Sequence, residues 1–454
     1  MTFRSVNPAT GEELETREPI GDVELGELVR RADSTFASFR GRTFAERGEL
    51  LRSVAEILEE ESEELGRLMT REMGKPLDQA TSEAEKCAWV CRHYADHGEE
   101  YLADEPVETE ARRSFVRSEP VGPILAVMPW NFPFWQLFRH AAPALMAGNV
   151  VLLKHAPTVP GCARAIEELF ERAGFPEGAV QNLYVEEEQV ADLLEDPRVR
   201  AATLTGSVPA GKAVASEAAS RVKKTVLELG GSDPFVVLPS ADLDAAVETA
   251  VRARVQNSGQ SCIAAKRMVL HEEIADEFRR RFTERMESLV VGDPADPATD
   301  VGPLAAEHVL RDLDRQVRET VDAGAEALCG GTPLDRDGYW YPPTVLDGVP
   351  IDSPAYREEL FGPVASLFEV PDLDAAIRLA NDTDFGLGAS AWTRDEEEQE
   401  RLIRDLEAGV VFVNEMVKSD PRLPFGGVKE SGYGRELGRA GIREFVNVKT
   451  VWVE

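Results

Sequence analysis

Cysteine and histidine are scarce in this chain of 454 residues, which contains five cysteines and six histidines. An odd and low number of cysteines for this length predicts no disulfide framework. The cysteines stand at positions 87, 91, 162, 262 and 329.

Long apolar runs are also missing. No stretch of about eighteen consecutive apolar residues occurs, so no membrane-spanning helix is predicted. Residues 1–8 lack the apolar core of a secretory signal peptide, and we therefore expect a cytoplasmic protein.

Few residues of the sequence could form a metal site. Cys87 and Cys91 lie four residues apart on a predicted helix, and His93 and His97 follow. His93 points to a different face of that helix from Cys91, and cysteines on the core side of an amphipathic helix are commoner than metal ligands. We expect no bound metal.

Positive charge is in short supply. Lysine and arginine together number 50 against 83 aspartates and glutamates, for a formal net charge of −33. This balance disfavours binding to nucleic acid or to an anionic membrane surface. The acidic residues are dispersed, which favours a folded protein adapted to a salt-rich cytosol, where screening relieves self-repulsion. An ordinary acidic enzyme is the alternative.

The length of the chain predicts two or three domains, and a hydrophobic content of 43% is ample for their cores. Helical spacing of apolar residues and capping residues indicate an α-helical N-terminal part after an extended arm. The predicted elements are the arm 1–20, helices over 23–39 (capped by Asp22), 44–73 (capped by Thr43) and 77–101, and an exposed strand over 107–118.

From Gly122 onward, short β-rich apolar runs alternate with helical stretches. This alternation predicts a parallel, doubly wound α/β sheet. The predicted strands are 124–128, 150–153, 180–185, 201–205 and 225–229, and the helices between them are 133–147, 161–173, 187–195 and 209–219. A second alternating series covers about 234–413, and a strand is predicted at 446–453.

Cys262 follows a turn of small residues, Gln256–Ser261, and precedes a short apolar run. A cysteine in this position can present its sulfur to a cleft, and a thiolate is the strongest side-chain nucleophile. The alternative is a small buried hydrophobic residue. Taken alone, the stretch does not separate the two.

Two further strand ends carry polar side chains. Asn131, between Pro129 and Pro133, offers a rigid amide donor for an oxyanion, or else caps the next helix. Glu228, before two glycines, is placed for general-base work, or else is a solvated loop acid.

Glycines stand at the start of a predicted helix after the strand 201–205. Gly206, Ser207 and Gly211 permit close approach of a phosphate to the helix N-terminus. The spacing GxxxxG differs from the usual dinucleotide motif. A second glycine group at 432–438 has no strand directly before it and is interpreted as a turn.

Together these stretches resemble the aldehyde dehydrogenase superfamily over almost the whole chain. The matching motifs are NPATG (7–11), PWNFP (129–133), LLKHAP (152–157), TGS (205–207), LELGG (227–231), GQSC (259–262), EELFGPV (358–364), NDTDFGL (381–387) and PFGGVKESGYGRE (424–436). Within the superfamily, the sequence is most similar to bacterial NAD(P)-dependent succinate-semialdehyde dehydrogenases.

The resemblance implies an α/β fold of the aldehyde dehydrogenase type with two doubly wound parallel-sheet domains and a small β flap for oligomerisation. The implied parts are a coenzyme domain (1–103 and 121–230), a catalytic domain (231–431) and the flap (104–120 and 432–454). In the flap, residues near 104–120 would pair with the C-terminal strand 445–453. Open strand edges in this pair fit a homodimer or homotetramer.

The resemblance also implies roles for the catalytic residues. Cys262 would attack the aldehyde carbon, and Asn131 and the Cys262 N–H would hold the oxyanion. Hydride would leave to the nicotinamide, and Glu228 would activate the water that releases the acid from the thioester.

For the coenzyme, the resemblance implies NAD or NADP. Lys154 and Glu359 would hold ribose hydroxyls, Phe361 would flank the nicotinamide, and Gly206 and Ser207 would lie beside the pyrophosphate. Further expected coenzyme residues are Trp130, Gly211, Leu229 and Pro157. Pro157 stands where many relatives carry a glutamate that favours NAD, so no anion opposes a 2′-phosphate.

For the substrate, the best match is an aldehyde with a distal carboxylate. Arg139 matches an arginine that holds this carboxylate in relatives, or else pairs with a structural acid. Relatives often carry another arginine where this chain has Gln256, and Ser419 and Arg422 are expected to add donors. The alternatives are another short or medium aliphatic aldehyde, a cysteine hydrolase or acyltransferase, which usually needs a histidine partner, and a catalytically idle member.

Overall fold

A computed structural model describes residues 2–454. Two large β-sheets form the centre of the fold. The helices are α1 Asp22–Phe39, α2 Phe44–Glu60, α3 Ser62–Met73, α4 Leu77–Leu102, α5 Trp135–Ala147, α6 Pro160–Arg172, α7 Glu187–Glu195, α8 Val208–Ser220, α9 Leu243–Val255, α10 Glu272–Glu287, α11 Glu307–Asp322, α12 Pro354–Arg357, α13 Leu373–Asn381, α14 Glu396–Asp405 and α15 Gly438–Ile442.

The strands follow the same chain order. They are β1 Phe3–Val6, β2 Glu13–Arg17, β3 Glu105–Pro106, β4 Arg113–Pro120, β5 Pro123–Met128, β6 Val150–His155, β7 Val180–Asn182, β8 Ala201–Thr205, β9 Lys224–Glu228, β10 Asp233–Val237, β11 Ala265–His271, β12 Glu326–Cys329, β13 Thr344–Asp347, β14 Val364–Val370, β15 Phe385–Gly386, β16 Gly388–Trp392, β17 Val410–Val413, β18 Val428–Lys429, β19 Gly432–Tyr433 and β20 Val446–Val453.

The first large sheet has the order β19-β9-β8-β5-β6-β7 and is parallel except for β19. Strand β8 is buried at every position, as expected for a strand covered by helices on both faces. The second has the order β12-β13-β14-β11-β10-β16-β17 and is parallel except for β12. The predicted α/β class with two parallel sheets is confirmed.

Alternation along β10 shows how the second sheet buries both faces. Phe235 and Val237 pack into the cluster that contains Phe278 of α10, whereas Val236 packs into the cluster that contains Ile377 of α13. Successive side chains of a strand point to opposite faces, so one strand contributes to two cores.

The predicted cap of the second helix is present. Thr43 Oγ1 accepts the Glu46 N–H at 3.2 Å, and the Glu46 carboxylate accepts the Thr43 N–H at 2.7 Å. This reciprocal pair satisfies two otherwise unpaired donors at the helix start.

Several predicted boundaries were wrong. The single helix over 44–73 is two helices, because Glu61 leaves the helical conformation (φ −108°, ψ 13°) and its carboxylate pairs with Arg172 of α6. Asp22 is the first residue of α1 and does not cap it, since Gly21 stands at that position. The strand expected over 107–118 is β4, which begins at Arg113.

The predicted flap pairing is present. Strand β20 pairs with β4 from Val446↔Pro120 to Val453↔Arg113, and β3 completes a three-stranded antiparallel sheet in which β20 is an edge. The glycine group expected as a turn contains β19, which pairs with β9 of the first large sheet. The C-terminal segment thus contributes to two sheets, and the predicted domain boundaries stay a prediction.

Within residues 2–454, none of the helices is both long and apolar enough to cross a membrane. The same residues contain no group of three or more histidine, cysteine, aspartate or glutamate side chains that could hold a metal ion.

Candidate active site

Most of the predicted site residues stand at one edge of the first large sheet. Trp130 and Asn131 follow β5, Lys154 and Pro157 lie at or after the end of β6, Gly206 and Ser207 follow β8, and Glu228 and Leu229 end or follow β9. Because β9, β8, β5 and β6 are parallel neighbours, their carboxyl ends share one edge. Ligands of open α/β sheets bind in the crevice at this edge.

The second sheet supplies the opposing wall. Cys262 precedes β11, and Glu359 and Phe361 precede the neighbouring strand β14. The two walls touch directly, since the rings of Trp130 and Phe361 meet edge to face at 5.7 Å between centroids.

The turn before Cys262 has an uncommon backbone. Asn257, Ser258 and Gly259 all have left-handed φ values, of 56°, 54° and 77°. A Cβ at position 259 would lie 2.3 Å from the backbone of Gly362, so only glycine fits there. The turn is held by the Asn257 amide, which donates to the carbonyls of Asn131 (2.7 Å) and Gln260 (3.0 Å).

The predicted oxyanion donor and the predicted nucleophile belong to the same small region. Asn131 is buried, and its side-chain amide donates to the Gln260 carbonyl at 3.1 Å, two residues before Cys262. Burial raises the pKa of the half-buried Cys262 thiol to about 12, and the charges of Arg139 and Lys266 oppose this rise. The thiol form therefore dominates at neutral pH in this arrangement.

Lys266 holds the loop that carries Cys262 through hydrogen bonds to its backbone. The sequence analysis missed this residue because it belongs to none of the motifs. Its Nζ donates to the carbonyls of Ser261 (2.9 Å) and Cys262 (2.8 Å) and lies 3.4 Å from a Glu359 carboxylate oxygen. Glu359 also accepts the Gly231 N–H at 3.1 Å. A Cβ on Gly231 would lie 2.5 Å from the Cys262 carbonyl oxygen, which explains the glycine after the β9 strand.

Glu228 is a buried acid without a hydrogen-bond partner. It is 2% exposed, and neither carboxyl oxygen has a partner within residues 2–454. Burial raises the pKa of Glu228 well above its usual range, and the charge of Arg139 opposes the rise. A buried carboxyl group left unpaired by the protein fits a group that exchanges protons with water or substrate.

Arg139 stands on α5, as predicted, but its guanidinium is already engaged. It forms a buried ion pair with Glu436, donates to Thr205 Oγ1 at 3.2 Å and lies 5.0 Å from the centroid of the Phe425 ring. These contacts agree with the alternative that Arg139 pairs with a structural acid, here Glu436. A role for Arg139 in binding substrate stays a prediction.

A cavity of about 870 Å³ opens onto Cys262. Its wall includes Arg139, Ser419 and Gln256, and also Lys86 and Trp135, which sequence reasoning missed. Neither Glu228 nor Arg422 is among the described residues that line it.

The donor expected from Arg422 is therefore outside the cavity. Asp420 accepts two hydrogen bonds from its guanidinium, at 2.8 and 2.6 Å, and holds it over the ring of Trp89. Ser419, by contrast, is 7% exposed and lies in the wall, where its hydroxyl oxygen accepts from Lys86 (2.8 Å) and from the Trp135 indole (3.1 Å).

The predicted coenzyme residues fit a dinucleotide. Helix α8 carries Ser207 at its N-cap and no acidic residue in its first turn, so its positive end suits a pyrophosphate. A Cβ on Gly211 would lie 2.5 Å from a Leu229 methyl group, and this glycine thus allows α8 to pack closely on the sheet. Lys154 is a partly buried cation at the end of β6, and burial lowers its pKa.

A cysteine after a left-handed turn, a buried carboxyl group without a partner and a helix N-terminus suited to a pyrophosphate lie at one crevice between two parallel sheets, an arrangement of the class of coenzyme-dependent enzymes with a cysteine nucleophile. The aldehyde dehydrogenase family model matches residues 1–451, and the chain belongs to that family.

Particular relatives match the chain from end to end. It is 58% identical over 453 residues to a probable succinate-semialdehyde dehydrogenase [NADP(+)] of Synechocystis, with 100% of both chains covered. It is 54% identical over 457 residues to succinate-semialdehyde dehydrogenase [NADP(+)] of Mycobacterium avium, covering 100% of this chain and 97% of the relative.

Among solved structures, the succinic semialdehyde dehydrogenase of Streptococcus pyogenes in complex with NADP+ superposes with a TM-score of 0.97. The two sequences are 36% identical, and 99% of each chain is covered.

Proposed function

We propose that this enzyme oxidises succinate semialdehyde to succinate and that it uses NADP, with NAD as a second coenzyme. The names of the full-length relatives, at 54% to 58% identity, support this substrate and coenzyme. The observation that carries the proposal is the cavity that opens onto Cys262, because one cation in its wall, Lys86, has no carboxylate partner among residues 2–454, although five acidic side chains also line the wall.

In this proposal Cys262 loses its proton and attacks the aldehyde carbon, and the Asn131 amide donates to the oxyanion. The nicotinamide, when bound, would accept the hydride that leaves the former aldehyde carbon, and loss of this hydride converts the Cys262 adduct into a thioester. Glu228 then takes a proton from the water that attacks the Cys262 thioester, and collapse of the adduct breaks the C–S bond, which expels the Cys262 thiolate and leaves the former aldehyde carbon as a carboxylic acid.

Coenzyme choice depends on the end of β6 in this proposal. Lys154 offers a cation to a 2′-phosphate, and Pro157 removes the carboxylate that would repel one. The same proline leaves the NAD 2′-hydroxyl without a carboxylate partner. Glu359, Phe361, Trp130, Gly206 and Ser207 complete the proposed coenzyme site.

We also propose that the protein is a homodimer or homotetramer joined through the flap. The edge strand β20 exposes Val448 (66%) and Trp452 (45%), and an open edge of this kind is suited to cover by a second copy. Light scattering should give a multiple of 49.9 kDa, and a monomeric mass would contradict the proposal.

The substrate and coenzyme are tested together by following the absorbance of the reduced nicotinamide. We expect the highest kcat/KM for succinate semialdehyde with NADP, a lower value for butanal, and measurable turnover with NAD. Equal kcat/KM for the two aldehydes would favour the alternative of a general short-chain aldehyde dehydrogenase. A thousandfold preference for one coenzyme would show that a residue other than Pro157 discriminates.

A further inference from the structure

Lys86 of α4 is a cation in the wall of the cavity that opens onto Cys262. Its ammonium lies 4.2 Å from the centroid of the Trp135 ring and donates to Ser419 Oγ at 2.8 Å. An ammonium group has three donors, and the serine uses one of them.

The other cations in this wall are all paired with acids. Arg139 pairs with Glu436, Arg252 and Lys418 with Glu415, and Arg285 with Glu248. Within residues 2–454, Lys86 forms no ion pair with a carboxylate. An unpaired, partly buried positive charge beside a cavity is stabilised when an anion enters.

Ser419 provides a second donor at the same place. Its oxygen accepts from both Lys86 and the Trp135 indole, so its own hydroxyl hydrogen is left to point elsewhere. The Lys86 ammonium over the Trp135 ring and the Ser419 hydroxyl 2.8 Å from it can each donate to one oxygen of the same carboxylate.

We infer that Lys86, next to the already expected donor Ser419, binds the distal carboxylate of the substrate and sets the preference of this enzyme for aldehydes that carry one. The inference rests on the proposed function, since it requires an anionic substrate. It also explains how the chain works with Gln256 in place of a second arginine, because the cation comes from α4.

The surroundings of Lys86 make its charge depend on pH near neutrality. Glu83 and Cys87 of α4, Arg139 of α5 and Asp420 of the loop after β17 are the charged or titratable groups that face it. Burial first, and then the charge of Arg139, lower the pKa of Lys86 to about 8. The positive charge is present below this pH and is lost above it.

The test compares kcat/KM for succinate semialdehyde with kcat/KM for butanal, because their ratio cancels changes in Cys262 and in the coenzyme site. Lys86→Met should lower the ratio at least about tenfold, through KM for the charged substrate. Lys86→Arg should recover most of it. Lys418→Met is the matched control, since Lys418 lines the same cavity but is paired with Glu415, and its ratio should stay close to that of the wild type.

The pH profile supplies an independent readout. The wild-type ratio should fall as the pH rises through about 8, whereas the ratio of Lys86→Arg should stay flat, because a guanidinium keeps its charge. This comparison decides the matter even if Lys86→Met does not fold. An unchanged ratio in Lys86→Met, or identical pH profiles, would overturn the role of Lys86 alone. A wild-type ratio near one would instead overturn the proposed substrate, and the inference with it.

Discussion

At the residue scale, the proposed nucleophile is half-buried and the proposed base is buried, and burial raises both pKa values. Each group must lose its proton to act, so both shifts make the enzyme respond to rising pH in the same direction. Arg139 opposes both shifts and thereby links them.

Cys262→Ala should abolish both dehydrogenase turnover and ester hydrolysis, because each needs the thiolate. In the wild type without coenzyme, the alkylation rate of Cys262 by iodoacetamide should rise about tenfold per pH unit between pH 7 and 9, since the thiol has a pKa of about 12. Cys329→Ala, which alters a buried thiol elsewhere, is the control and should keep full activity. Activity that persists in Cys262→Ala would refute the mechanism.

Glu228→Gln should slow thioester hydrolysis more than the step before it. A rapid burst of reduced coenzyme should therefore remain in stopped-flow traces while steady turnover drops. In the wild type, deacylation should accelerate as pH rises, because the raised pKa of Glu228 leaves less carboxylate at low pH. If the burst disappears while thioester hydrolysis is unaltered, Glu228 has another role. Glu407→Gln, at an exposed position, is the control and should change neither step.

At the scale of elements, the turn 256–259 positions Cys262. The left-handed backbone of this turn is strained, and side-chain hydrogen bonds of Asn257 offset the strain. Asparagine tolerates the left-handed conformation better than most residues, and the Asn257 amide also joins this turn to the loop after β5.

Asn257→Ala should lower the free energy of unfolding by about 2–4 kcal/mol, from the left-handed alanine and two lost hydrogen bonds. Asn257→Gly also loses the hydrogen bonds, but glycine adopts the left-handed conformation without strain. This variant should therefore be about 1 kcal/mol more stable than Asn257→Ala. Chemical denaturation measures the free energy of unfolding, and the alkylation rate of Cys262 measures how accessible its sulfur is. Equal stabilities of the two variants would remove strain from the explanation.

The ion pair between α5 and the loop before α15 is expected to matter for stability. Arg139→Met should cost about 3–5 kcal/mol of unfolding free energy, because it leaves the buried Glu436 without its partner. Adding Glu436→Gln should restore much of this loss, as a double-mutant cycle would show.

The same variant tests the predicted substrate role of Arg139. A structural role lowers kcat/KM for succinate semialdehyde and butanal alike. A selective loss for the charged substrate would assign the carboxylate to Arg139 as well as to Lys86.

At the scale of the whole molecule, 83 acidic side chains are held together against their mutual repulsion. Many of them pair with surface arginines, and such pairs contribute little individually. The net charge of −33 remains, and salt reduces its cost.

The melting temperature and the activity should therefore rise between low salt and molar KCl, where the Debye length is about 3 Å. NaCl at the same ionic strength is the control and should give a similar shift, since screening does not depend on which of the two cations is used. A melting temperature that stays constant over this range would contradict adaptation to high salt.

The sequence by itself determined the α/β class, the two parallel sheets, the pairing of the flap strands and the aldehyde dehydrogenase family. Strand and helix periodicities are local properties, and the site motifs lie directly after strand ends, where chain order already dictates which edge they share. The roles of Asn131, Lys154, Gly206 and Glu228 were implied by the family resemblance, and their places after parallel strands explain why the fold brings them to one edge.

Contacts between distant segments were decided by the tertiary structure. Glu61 divides a helix where neither glycine nor proline marks a break, and its carboxylate meets Arg172 of α6. Arg139 finds Glu436, and Lys86 finds Ser419 across 333 positions of sequence. Whether a buried charge is paired or free depends on which remote residue packs against it, and a single sequence read along its length does not contain that information.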